Sequence, residues 1–160
     1  MVKPVIVELE PSMVLDDFDC GDRQVNEFLK EKAKDQQERF VTKVYVMRKD
    51  NEIIGYYAVF CSHFRVDLPE DRKFEFNVPG VCMGQLGIDN RYKRKGLGTE
   101  MIKHCVSLAH KINKMAACRI IWLMAYDSVI DYYSKRPRNF LLTKQLRDKN
   151  RMIYDLKLSS

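Results

Sequence analysis

The chain has 160 residues, 46% of them hydrophobic, a formal charge of +6 and a pI near 9.0, which fits one globular domain over 1–160 and is too short for two comfortable ones. No run of about 18 apolar residues exists to span a bilayer, and the start MVKPVIVELE lacks the apolar core and cleavage site of a signal peptide. A cytoplasmic protein is expected on this reading.

In chain order, VIVEL (5–9) is a short β-rich run, and after the turn-like DDFDCGD the apolar residues Val25, Phe28, Leu29 and Ala33 recur at helical spacing within VNEFLKEKAKDQQ. KVYVMR (43–48) and IIGYYAVFCSHFRV (53–66) read as the two strands of a hairpin turning at 49–51. A polar connection, LPEDRKFEFNVPG, leads to the mostly apolar strand VCMGQLGI (81–88). From Leu97, the positions Met101, Ile102, Cys105, Leu108, Ala109 and Ile112 mark one face of a helix about four turns long. CRIIWLMAY (118–126) is a buried-type strand, SVIDYYSK (128–135) a short helix, and MIYDLKL (152–158) a closing strand at the sheet edge that could pair between two copies of the chain. The order β, helix, β, β, β, helix, β, helix, β predicts an α/β domain on a mixed sheet.

The charge is concentrated. Between Ser134 and Arg151, SKRPRNFLLTKQLRDKNR carries seven basic residues against one acid, an excess equal to that of the whole chain. Such a strip is either a solvated surface or a rim that attracts phosphate or an acidic substrate. Five widely spaced cysteines (Cys20, Cys61, Cys82, Cys105, Cys118) form no CxxC, so mostly buried, reduced thiols are expected and no metal site is implied.

The stretch RYKRKGLGTE (91–100) sets four cations against two glycines where a strand feeds a helix. Free backbone N–H groups and the positive end of the helix dipole meet at such a turn, and glycine at 96 and 98 removes β-carbons that would hold an anion away. Lys93, Arg94 and Lys95 add longer-range attraction. The spacing is neither GxxxxGK followed by Ser or Thr, nor a dinucleotide fingerprint with its third glycine, so a P-loop and a Rossmann site are both disfavoured.

Residues 84–100, GQLGIDNRYKRKGLGTE, resemble the acetyl-CoA-binding strand, loop and helix of the GNAT family of N-acetyltransferases, whose Q/R-x-x-G-x-G/A loop binds the coenzyme pyrophosphate. Here the hexad is KRKGLG (93–98), with Lys93 in place of the usual Gln or Arg. The resemblance implies a single-domain GNAT-like fold: a mixed, mostly antiparallel sheet flanked by helices, with splayed central strands. It implies acetyl-CoA as cosubstrate, held by Leu86, Gly87 and Ile88 on the strand and by Lys93, Arg94, Lys95, Gly96, Leu97, Gly98 and Thr99 on the turn, with Gly87 allowing close approach of the pantetheine. FDCGDRQVNEFL (18–29) resembles the opening of a bacterial subgroup that includes toxins of toxin–antitoxin pairs, which acetylate the amine of aminoacyl-tRNA. Val25 stands where that subgroup has Leu, and Gln85 where it has Arg.

In the same family a Tyr on the last short helix protonates the leaving thiolate. The matching run is DYYSKRPRNF, which assigns Tyr133 as the acid and Tyr132 to the core. Its turn is longer than the family's, and Asn139 replaces a glycine. No general base declares itself; the titratable candidates are His63, Glu52 and Glu75, and an amine of low pKa could use a water relay instead. The acceptor stays open among a primary amine of a protein or metabolite and aminoacyl-tRNA, with tRNA, an antitoxin and a second copy of the chain as partners to be tested. A non-catalytic acetyl-CoA-binding or nucleic-acid-binding module is the competing reading.

Overall fold

In the computed structural model, which describes residues 3–68 and 77–159, the strands are β1 (Val5–Glu8), β2 (Lys43–Lys49), β3 (Glu52–Phe64), β4 (Val78–Ile88), β5 (Ile120–Ala125), β6 (Leu141–Gln145) and β7 (Asn150–Asp155). The helices are α1 (Arg23–Glu27), α2 (Ala33–Glu38), α3 (Leu97–Asn113) and α4 (Ile130–Ser134). The strands form a mixed sheet in the order β1-β2-β3-β4-β5-β7-β6. The chain divides into two units, Met1–Phe60 with Gly84–His104 and Cys61–Met83 with Cys105–Ser160.

In the first unit, β1, β2 and β3 pair antiparallel, with Val7 opposite Val46 and Val46 opposite Tyr56. The hairpin turns through Asp50, whose φ of 54° is one of the left-handed conformations Asp tolerates. Asp22 caps α1 by accepting from the N–H groups of Gln24 and Val25 at 2.9 and 3.3 Å. The helical run expected over 25–37 spans 23–38, with a wider π-helical turn at Phe28–Lys32 between α1 and α2. Its inward residues Leu29 and Ala33 join Leu9, Leu15, Phe18, Val44, Val46 and Tyr56 in one apolar cluster. Tyr56 anchors it: Phe18 meets its ring edge-on at 5.6 Å, Phe28 stacks at 6.3 Å, and its hydroxyl donates to the Val25 carbonyl at 2.6 Å. A buried tyrosine thereby keeps its polar tip satisfied.

In the second unit, β4 runs parallel to β5 over three residue pairs only, Gly80 to Cys82 against Ile120 to Trp122. Glycine is required at 80, because a Cβ there would lie 2.2 Å from the Ile120 carbonyl oxygen. Val66, Leu68, Val78, Ile120 and Ile153 make the core of this unit, with Phe64 and Trp122 packed against it. The buried Asp155 carboxylate is paired with Arg119 (Nε at 2.7 Å, Nη2 at 3.0 Å) and accepts from the Lys157 N–H, so its charge is compensated on several sides.

One expectation fails here. The closing strand is Asn150–Asp155, not 152–158, and it lies between β5 and β6; residues Leu156–Ser159 turn as a 3-10 helix. The edge strand is β6, drawn from the basic strip. All five of its residues are exposed, so it carries none of the apolar alternation by which a strand is recognised, and its main-chain ladder with β7 holds it in place. Four cysteines are buried and Cys61 is exposed, all as free thiols; burial pushes the thiols of Cys82 and Cys105 up to about 12. Among the described residues no helix is long and apolar enough to cross a membrane.

Candidate active site

The turn after β4 is fixed by one buried carboxylate outside the glycine motif. Asp89 follows Ile88, is 1% exposed, and accepts from the Asp19 N–H (3.2 Å), the Arg91 N–H (3.0 Å), and Arg91 Nε and Nη2 (2.9 and 3.1 Å). Burial raises its pKa, but the side-chain and backbone hydrogen bonds from Arg91 and Asp19 outweigh that and hold it below the ordinary carboxylate value. Its own N–H donates to the Ile54 carbonyl, and the Asn90 N–H to that of Asp19. The signal available was Asp followed by Asn-Arg-Tyr at a strand end, the pattern of a capped turn.

The 3-10 turn Asn90–Tyr92 leads to two left-handed residues, Arg94 (φ 63°) and Gly96 (φ 77°), before α3 begins. The first intrahelical bond runs from the Glu100 N–H to the Gly96 carbonyl at 3.2 Å. The N–H groups of Leu97, Gly98 and Thr99 therefore belong to the first turn, where a helix supplies no acceptor. A Cβ placed on Gly96 would meet nothing within 4 Å. This is an open cradle at the positive end of a 17-residue helix, and it fits a coenzyme pyrophosphate. The Lys93 ammonium is turned onto the Cys20 carbonyl at 2.6 Å, so Lys93 ties the turn to the preceding loop and Arg94 and Lys95 are left as its exposed cations.

The stretch FDCGDRQVNEFL is this turn's buttress. Asn26 accepts from the Cys20 N–H and donates to the Asp19 carboxylate, both at 2.9 Å, and Asp19 accepts in turn from the Gly21 N–H at 2.8 Å. Gly21 is left-handed (φ 85°), and a Cβ there would crowd the Asn90 side chain at 3.2 Å. Gly87 also has a packing role in the fold. A Cβ on it would lie 2.8 Å from Val25 Cγ1 and 3.2 Å from Cys20 Sγ, so this glycine admits the loop and helix that buttress the turn. Leu86 and Ile88 on either side of it are half-buried.

Tyr133 lies on α4 in the second unit. It is half-buried, edge-on to Tyr132 at 5.2 Å and to Phe140 at 5.7 Å, and the Phe140 N–H donates to its carbonyl at 2.9 Å. Burial pushes its phenol well above the ordinary tyrosine value, so it keeps its proton at neutral pH. Tyr132 departs from its expected core position. It is exposed, with the Arg138 guanidinium 3.9 Å over its ring and Arg138 Nε donating to its carbonyl. Asn139 has a φ of 56°, the conformation a glycine takes readily and asparagine best among the others.

Neither described candidate stands as a poised base. His63 is exposed on β3. Glu52 accepts from Arg91 at 2.6 Å and from the Tyr92 hydroxyl at 2.8 Å, which commits it to the wall of the turn. Glu75 lies outside the described residues.

The sequence profile of the Acetyltransferase (GNAT) family matches residues 8–140. "Probable toxin TacT" of Sinorhizobium fredii is 31% identical over 96 residues, and the match spans 56% of this chain and about half, 53%, of that protein. Two solved structures share the fold. AtaT complexed with acetyl-methionyl-tRNAfMet has a TM-score of 0.88 at 20% identity, covering 98% of this chain and 97% of that one. A mutant AtaT toxin bound to acetyl-CoA and the C-terminus of the antitoxin AtaR has a TM-score of 0.83 at 19% identity, covering 98% and 95%.

Proposed function

This chain belongs to the acetyltransferase (GNAT) family, and from that premise we propose that it transfers the acetyl group of acetyl-CoA to the α-amine of aminoacyl-tRNA. The observation that carries the coenzyme half is the Gly96 cradle: left-handed, open at Cβ, and set at the positive end of the α3 helix. Leu97, Gly98 and Thr99 bind the pyrophosphate through their main chain, and Arg94 and Lys95 add charge. Acetyl-CoA supplies the activated acyl carbon and a thiolate leaving group. The main chain around Leu86, Gly87 and Ile88 holds the pantetheine arm and provides an N–H for the thioester carbonyl, and Tyr133 donates its proton to the departing sulfur. With no poised carboxylate or imidazole among the described candidates, an acceptor of low pKa is favoured, and an α-amine at about 7.7–8.0 is partly neutral near pH 7.

The aminoacyl-tRNA half is supported by the likeness to toxin-type proteins, one of them in complex with an acetylated aminoacyl-tRNA, and by the exposed cations Lys135, Arg136, Lys144 and Arg147 of the basic strip. An antitoxin partner is proposed on the same likeness, as are a cytoplasmic location and a single catalytic domain over 1–160. Replacing Tyr133 by Phe tests the assignment. We expect kcat to fall about a hundredfold or more with acetyl-CoA affinity kept; an unchanged kcat would remove Tyr133 as the acid. Absence of turnover by the wild type on any amine, with acetyl-CoA still bound, would favour the non-catalytic reading.

A further inference from the structure

Tyr92 closes the 3-10 turn after β4 and is ringed by cations. Lys49 Nζ lies 5.6 Å from its ring centre, Arg91 Cζ 5.7 Å and Lys95 Nζ 5.4 Å. Its hydroxyl is held by Glu52, which fixes the ring as a platform. Arg91 is neutralised by Asp89 and Glu52, at 2.9 and 2.6 Å. Lys49 and Lys95 make no ion pair among the described residues. They come from different segments, the end of β2 and the residue before Gly96, so the fold has brought two ammoniums without an ion pair among the described residues to one aromatic ring. Attraction to the ring is worth about 0.5–1 kcal/mol each at exposed sites, and mutual repulsion works against it. A doubly charged anion shared between them would offset that repulsion.

The coenzyme carries such an anion. Beyond the pyrophosphate, its ribose bears a 3′-phosphate, joined through a single sugar to the group seated at Gly96. Lys95 is the chain neighbour of that glycine. We propose that Lys49 and Lys95, positioned by Tyr92, bind the 3′-phosphate, and that this chain thereby distinguishes CoA from 3′-dephospho-CoA. The inference rests on the coenzyme assignment above.

Calorimetric titration of the intact protein with CoA and with 3′-dephospho-CoA tests it. The wild type should prefer CoA by about tenfold in low salt, two exposed charge pairs being worth a few-fold each, and the preference should shrink as salt rises. Lys49→Ala should cut the preference to about threefold and leave the dephospho-CoA affinity where it was, with an unchanged Tm to show that the fold is intact. Tyr92→Leu should lower the preference in the same way, by releasing both lysines. Equal wild-type affinity for the two coenzymes would overturn the subsite while leaving the coenzyme assignment standing. So would a Lys49→Ala loss shared equally by both coenzymes, or one seen only in the KM for tRNA, which would make Lys49 a contact for nucleic-acid phosphate. No binding of either coenzyme would bring down the assignment and the subsite together.

Discussion

Two basic regions of this chain are built on opposite plans. The turn at 89–99 holds its shape through main-chain and buried polar contacts: Asp89 gathers four donors, and Asp19, Asn26 and Lys93 bind the preceding loop to it. The strip at 135–151 has more cations and much less support. Its β6 is exposed at every residue and is held by a main-chain ladder to β7 and the Thr143 hydroxyl on the Arg151 carbonyl. An anion held by backbone N–H groups needs atoms fixed in advance, because a small shift forfeits several bonds at once. A long polyanion attracted by side-chain charge needs only density of charge, and mobile lysines suit it. On the proposed function, a compact phosphate belongs to the first region and an extended one to the second.

The largest effect should come from the rigid region. Gly96→Val places a branched side chain in the cradle and forces a β-branched residue into a left-handed conformation, so the rise in Tm on adding acetyl-CoA should vanish. A retained rise would mean that the pyrophosphate lies elsewhere. Asp89→Ala should follow, costing about 1–2 kcal/mol of stability by removing the acceptor of four part-buried hydrogen bonds, as read from denaturant unfolding. A change within a few tenths would show that the Asp89 hydrogen bonds hold nothing.

The elements of the first region were legible because each signal was local. A glycine pair after a cationic run at a strand end reads as an anion turn, and the heptad-like spacing from Leu97 to Ile112 reads as its helix. What could not be read was which partner each glycine faces. The Cβ position of Gly87 faces Val25 and Cys20, 62 and 67 residues away along the chain. Asp89 went unnoticed because a capping carboxylate looks like any polar turn residue until its donors from Asp19 are brought to it by the fold. In the strip, β6 has no buried face, so its sequence pattern contained no period to find. Tyr132 and Tyr133 are adjacent and alike in composition; only the short helix decides which one turns inward.

Smaller effects sharpen the contrast. Replacing Lys144, Arg147 and Lys149 by Ala should raise the KM for aminoacyl-tRNA several-fold and flatten its salt dependence, because fewer counterions are released on binding. The KM for acetyl-CoA should hardly move. Equal losses for both substrates would mean that the two regions do not divide the labour as described. The smallest effect is in the pH dependence of stability. Asp89 is held below the ordinary carboxylate value in the folded chain, so its stabilisation is present above about pH 4 and is lost as the pH falls through the folded value. Asp89→Asn should therefore be less stable than the wild type at neutral pH and lose less on acidification, which acid-unfolding curves of the two proteins will show.

The central claim is that a coenzyme cradle and an acidic tyrosine serve transfer to an aminoacyl-tRNA amine. Incubating the purified chain with acetyl-labelled acetyl-CoA and charged tRNA tests it most directly. The account predicts label in the tRNA fraction, released by mild base as an N-acetyl amino acid, and none on uncharged tRNA. Label that appears on lysine, polyamine or protein amines in the same assay, with charged tRNA left unmodified, would contradict it.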